Sequence, residues 1–152
     1  MNTPALDEYS AKAHAALLAS HPDWQSYIST CPDKETDSSY VLVIIPSPVD
    51  PNSALHLYTA DEEVTVSFDM YECHFNALTN PNGEELSSAV TFAEQLMRED
   101  LLVASFWKHN EWTGSITVAQ NEQIKMPNSF DSESDLLKVR SWTGRLDHAH
   151  AI

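Results

Sequence analysis

At 152 residues, 42% of them hydrophobic, this chain is long enough to bury a core and too apolar for global disorder. A net charge of −15 excludes nucleic acid and anionic membranes as partners, since either would meet a protein of its own sign. With only three glycines (Gly83, Gly114 and Gly144) there is no glycine-rich phosphate loop.

The first predicted element is a helix over residues 3–20. Thr3 caps it, Pro4 suits its first position, and Asp7 and Glu8 sit where the helix dipole favours acids. Leu6, Tyr9, Ala13, Ala16 and Leu17 form its buried stripe, and His21-Pro22 ends it. Trp24 and Tyr27 anchor an exit loop that stays polar through residues 32–39. Strands follow over residues 40–71. The run 40–45 is apolar on both faces, as in a strand covered on two sides. Leu55 and Leu57 alternate with His56 and Tyr58, and Asp61-Glu62-Glu63 makes a turn. Val64, Val66, Phe68 and Met70 then point inward, with Thr65, Ser67, Asp69 and Tyr71 on the opposite face.

Asn80-Pro81-Asn82-Gly83 is a turn signal that opens a second helix over residues 83–99, with Leu86, Val90, Ala93, Leu96 and Met97 inward. Residues 101–118 read as a hairpin turning at Lys108-His109-Asn110-Glu111, and residues 121–135 as a mobile polar loop. Residues 136–146 supply the last strand, carrying Lys138, Arg140 and Arg145. The expected fold is therefore α+β. Residues 1–152 form one domain, two helices packed on a mostly antiparallel sheet of about six strands. The first residues show no basic and apolar leader, and no aliphatic run approaches the roughly 20 residues of a membrane span, so the expected compartment is the cytoplasm.

Charge is the most informative pattern. From Glu35 to Met97 the chain runs 63 residues without Lys or Arg while carrying eleven carboxylates. A folded segment of that kind attracts cationic partners. Catalytic signatures are absent, and no metal or cofactor is expected. Cys73 and His74 are neighbours that would point to opposite faces of a strand, so with Asp69 they make a poor metal site and a poor nucleophilic pair. At a strand end, His74 is expected instead to bond a loop or a neighbouring carboxylate. Cys31 and Cys73 read as free thiols. The pairs Glu62-Glu63 and Glu84-Glu85 read as a solvated turn and a helix start, and His148-x-His150 as a fraying terminus able to bind metals adventitiously. Trp107, Trp112 and Trp142 read chiefly as core, although Trp107 and Trp112 flank a turn and can pair across an exposed face.

The segment from Glu63 to Phe75, E-V-T-V-S-F-D-M-Y-E-C-H-F, resembles a strand-and-loop pattern of small acidic immunity proteins from bacterial polymorphic-toxin and contact-dependent inhibition systems. The strand leading into Phe106-Trp107 and the Trp112-x-Gly114-Ser115 and Trp142-x-Gly144 steps are similar too. Such proteins often carry a histidine where this chain has Glu72. The resemblance implies a cytosolic, non-enzymatic protein that occludes one toxin domain. The charge pattern independently suits a basic partner such as a nuclease. Asp61, Glu62, Glu63, Asp69 and Glu72 are the first contact candidates, with His74, Trp107 and Trp112 next. A reading of another class, an enzyme or small-ligand domain, would place a pocket among Tyr71, His74, Trp107 and Trp142.

Overall fold

The computed structural model describes residues 4–130 and 133–152. Its first helix, α1 (Glu8–Ser20), starts later than expected. Thr3 lies outside the described residues, and Pro4 is not helical. The backbone before α1 is claimed by the first interior strand instead. Ser39 donates its N–H to the Ala5 carbonyl (2.9 Å), and Asp7 donates its N–H to the Ser39 carbonyl (3.1 Å). Asp7 is the true cap, its carboxylate accepting the Ser10 N–H at 2.7 Å. Asp7→Ala is expected to cost about 1 kcal/mol in urea melts, the usual worth of an N-cap. Ser10, Ala13 and Leu17 are buried, while Ala16 faces solvent against expectation.

His21 ends α1 as expected, and a short 3-10 helix (Pro22–Tyr27) buries Trp24. The polar exit loop then proves to contain a strand. This β1 (Ile28–Pro32) pairs with β2 (Ser39–Pro46), followed by β3 (Ala54–Tyr58), β4 (Val64–Phe68) and β5 (Tyr71–Phe75). All five form one antiparallel sheet in chain order. Val41, Val43, Ile45, Leu55, Leu57, Val64, Val66 and Phe68 face a shared core with residues of both α-helices. The other face has no such cover, so β2 is not buried on two sides: Ile44 is 40% exposed. β4 also stops at Phe68, because Asp69 turns the chain at φ 52°, and Met70 is exposed rather than inward.

Helix α2 (Glu85–Met97) follows the expected turn, in which Gly83 adopts φ 72°. Ala89, Val90, Ala93 and Leu96 are buried, and Phe92 meets Tyr71 (6.0 Å between rings) and Phe75 (5.8 Å). A second antiparallel sheet holds β6 (Leu101–Lys108), β7 (Glu111–Ala119), β8 (Leu136–Arg140) and β9 (His148–Ala151) in the order β7-β6-β8-β9. The expected strand over 136–146 thus ends at Arg140, and the terminal histidines lie in a strand. The α+β class holds, and the described residues form nine strands in two sheets where about six in one were expected.

Val103 and Trp142 join the first core, while Leu102, Ala104, Phe106, Val118, Leu137 and Val139 form a second. Over it pack Ile124, Met126 and Phe130, so the polar segment is anchored by its apolar residues. Gly114 serves that packing, since a Cβ there would come within 2.7 Å of the Phe130 ring. Cys31 and Cys73 are free, on opposite edge strands of the first sheet. Four strand spacings, roughly 19 Å, keep them from pairing within the chain. No described helix is long and apolar enough to cross a membrane.

Candidate functional site

The β3–β4 connection is a strained acidic turn. Glu63 donates its N–H to the Ala60 carbonyl (3.2 Å), and Asp61 and Glu62 between them lie at φ 57° and 56°. Asparagine and glycine favour such positions, yet two exposed acids occupy them. Glu63 reaches back over the outer face of the sheet, where period-two alternation brings β3, β4 and β5 side chains together. Tyr58, Thr65 and His74 are successive partners across the strands, and Glu72 lies two residues before His74.

His74 sits between two carboxylates. Its Nδ1 faces Glu63 Oε1 (2.7 Å) and Thr65 Oγ1 (3.0 Å), and its Nε2 faces Glu72 Oε1 (3.1 Å). The Tyr58 hydroxyl donates to Glu72 Oε2 (3.2 Å), and Asn76 donates to Glu63 Oε2 (3.4 Å). The carboxylate-bonded histidine at a strand end is thus observed. Tyr58 and Thr65 complete the cluster, and their outward phase was readable in the alternation although their role was not.

The local field is negative, and nearby phenols record it. Burial, then the charges of Glu85, Glu63, Glu62 and Asp7, push Tyr9 up to about 12. Burial also raises Tyr58; Thr65 opposes it by a hydrogen bond, and Glu72 and Glu63 add to it. Burial raises the Cys73 thiol, which makes it a weak nucleophile. Cys73 opposes Val66 on the inner face while His74 opposes Thr65 on the outer, so the two cannot converge on one ion. Among the described residues no three His, Cys, Asp or Glu side chains are arranged to hold a metal.

Beside this cluster the two sheets leave a groove of about 590 Å³. Asp69, Met70, Tyr71, Glu72 and His74 line one side, and Trp112, Thr113, Gly114 and Ser115 the other. Trp112 is 49% exposed, and its indole N–H donates to Ser115 Oγ at 2.8 Å, which fixes the ring. Trp107 is its partner across the hairpin but does not line the groove. The Trp107 indole N–H donates to Ser105 Oγ (2.9 Å), and Lys138 Nζ lies 4.0 Å from its ring centre. Trp142 is in the core, 5.6 Å from the Phe68 ring. A pocket of Tyr71, His74, Trp107 and Trp142 is therefore not formed; only the first two share a groove.

The acids differ in their freedom. Asp69 was expected to lack a cation, but Arg140 Nε comes within 3.9 Å of it while bonding mainly to Asp147 (2.7 Å). No Lys or Arg among the described residues pairs with Asp61, Glu62, Glu63 or Glu72. Comparison with protein-family models, curated proteins and solved structures found no match to this chain.

Proposed function

We propose that this protein is a cytoplasmic immunity protein, which binds a basic toxin domain and blocks its active site or substrate groove without catalysing a reaction. The observation that carries the reading is the meeting of Glu72 and His74 with a half-exposed, orientationally fixed Trp112 at one groove, with Glu63 joined to them through His74. Carboxylates beside an open indole suit an incoming Arg or Lys, because the charge meets anions and the flat guanidinium or alkyl stem meets the ring. Asp61 and Glu62 extend the negative field from the neighbouring turn. The resemblance of Glu63–Phe75 to immunity proteins points the same way.

Surface acids act mainly on encounter. Reversing Asp61, Glu62 and Glu72 to lysine is expected to slow association with the toxin about tenfold at low salt and to flatten its salt dependence. Trp112→Ala should act on dissociation. The test is co-expression with a toxin encoded beside this gene: wild type rescues growth, and the triple reversal with Trp112→Ala fails while its circular dichroism and melting stay normal. Rescue that survives those changes, or a genome with no adjacent toxin, defeats the proposal.

A further inference from the structure

The second core has an open end. A cavity of about 570 Å³ lies over the face of the four-stranded sheet that points away from the helices, within the size range of small-molecule sites. Leu102, Phe106, Val118, Leu137 and Val139 form its floor, and Ile124 and Met126 help to wall it. Register places two polar residues on this apolar face. His150 opposes Leu137 and His148 opposes Val139, so both imidazoles stand on the cavity side of β9. Their rings are stacked 5.7 Å apart and within 5° of parallel. His148 Nδ1 lies 2.9 Å from the Leu146 carbonyl, which can only accept. Nδ1 therefore carries a proton, and Nε2 is the ring nitrogen available to a ligand.

We infer that this cavity binds a small neutral molecule with an apolar body and one hydroxyl, such as an alkylphenol or a short fatty alcohol. The floor and wall take the hydrocarbon part, and the hydroxyl hydrogen-bonds an imidazole nitrogen at the β9 rim. The charge of the head follows from the surroundings. A net charge of −15 and Glu122 at the rim work against an anion. Burying a cationic head against the apolar floor costs more than burying a neutral hydroxyl, which can both give and accept a hydrogen bond. The site has no lining residue in common with the acidic groove, and the two draw on different stretches of β7.

The probe is 4-butylphenol, titrated into the full chain while the methyl signals of Ile124 and Met126 and the ring signals of His148 and His150 are followed by NMR. Saturable shifts at all four residues are expected. The anion 4-butylbenzoate should bind at least tenfold more weakly. The double change His148→Ala with His150→Ala should weaken 4-butylphenol about tenfold, and Gln123→Trp at the cavity wall should abolish its binding. All three positions are exposed, so the variants are expected to keep the wild-type fold by circular dichroism; the histidine variant decides the matter should the tryptophan one not. Absence of saturable shifts, equal binding of the benzoate, or indifference to loss of both histidines would overturn the assignment.

Discussion

Phe68→Ala is expected to destabilise the protein by about 3–5 kcal/mol, the range for deleting a buried aromatic ring. Phe68 is 4% exposed on the inner face of β4, and its ring meets Trp142 at 5.6 Å and a 58° tilt. That contact joins the first sheet to the segment after β8, so truncation opens a void where two parts of the molecule meet. With typical stabilities of about 5–15 kcal/mol, a substantial part of the whole is at stake. At about 2–4 °C per kcal/mol the melting temperature should fall by roughly 6–20 °C. Met70→Ala is the informative control. Alternation along β4 would put Met70 inward beside Phe68, but the turn at Asp69 leaves it exposed, so it should change stability by less than about 0.5 kcal/mol. Equal losses at the two positions would restore the longer strand and contradict the turn.

The difference between Phe68 and Met70 shows where the sequence stops being legible. Strands with two or more core-facing aliphatics, such as β2, β3 and β4, announce themselves through alternation. β5 is hidden because the phase of β4 runs on through a turn that contains no glycine. β1 brings only Ile28 to the core, and β9 is His-Ala-His-Ala with every residue exposed. Both are strands by virtue of backbone pairing with a neighbour, a cause outside their own sequence. Division into two sheets is likewise a matter of long-range pairing.

The same limit governs the site. Glu63, Glu72 and His74 were nameable because they lie close together in the stretch without Lys or Arg, although β5, which carries the last two, was not legible. Trp107 and Trp112 look equivalent around their turn, and Lys138 from another strand separates them by stacking on one. Arg140 draws Asp69 from the free acids in the same way. Local sequence holds no signal for either event. The acidic character of the face survives because, among the described residues, Arg140 alone of the lysines and arginines pairs with one of its acids.

Glu99→Ala is expected to cost about 2–3 kcal/mol, from loss of hydrogen bonds to a charged and buried acceptor. Glu99 follows the cap of α2 at φ 63°, the left-handed position where glycine is usual. The Glu99 and Asp100 N–H groups close the helix on the Leu96 (3.1 Å) and Gln95 (2.9 Å) carbonyls, as in a Schellman end. A glutamate tolerates this backbone because its side chain is held. It is 4% exposed, accepts the Thr143 N–H (2.8 Å) and hydroxyl on one oxygen, and bonds Arg145 (2.8 Å) on the other. The contact ties the α2–β6 corner to the β8–β9 connection. Glu99→Gly should recover about 1 kcal/mol relative to Ala by removing the strain, and Glu99→Gln should lose least by keeping an acceptor for Thr143. Burial works to raise this carboxyl, but the Thr143 and Arg145 contacts outweigh it and hold the group below its usual 4.5. A carboxylate depressed on folding contributes stability that is fully present above the unfolded value and lost as pH falls through the folded one. The gap between wild type and Glu99→Gln should therefore stay constant from pH 7 to about 5 and narrow below about 4.5 in urea melts. Comparing the two proteins at each pH cancels the general relief of charge repulsion that acid brings to so anionic a chain. A gap that widens in acid would mean that the carboxyl is raised by its burial, and that the corner is held by packing instead of by the charge.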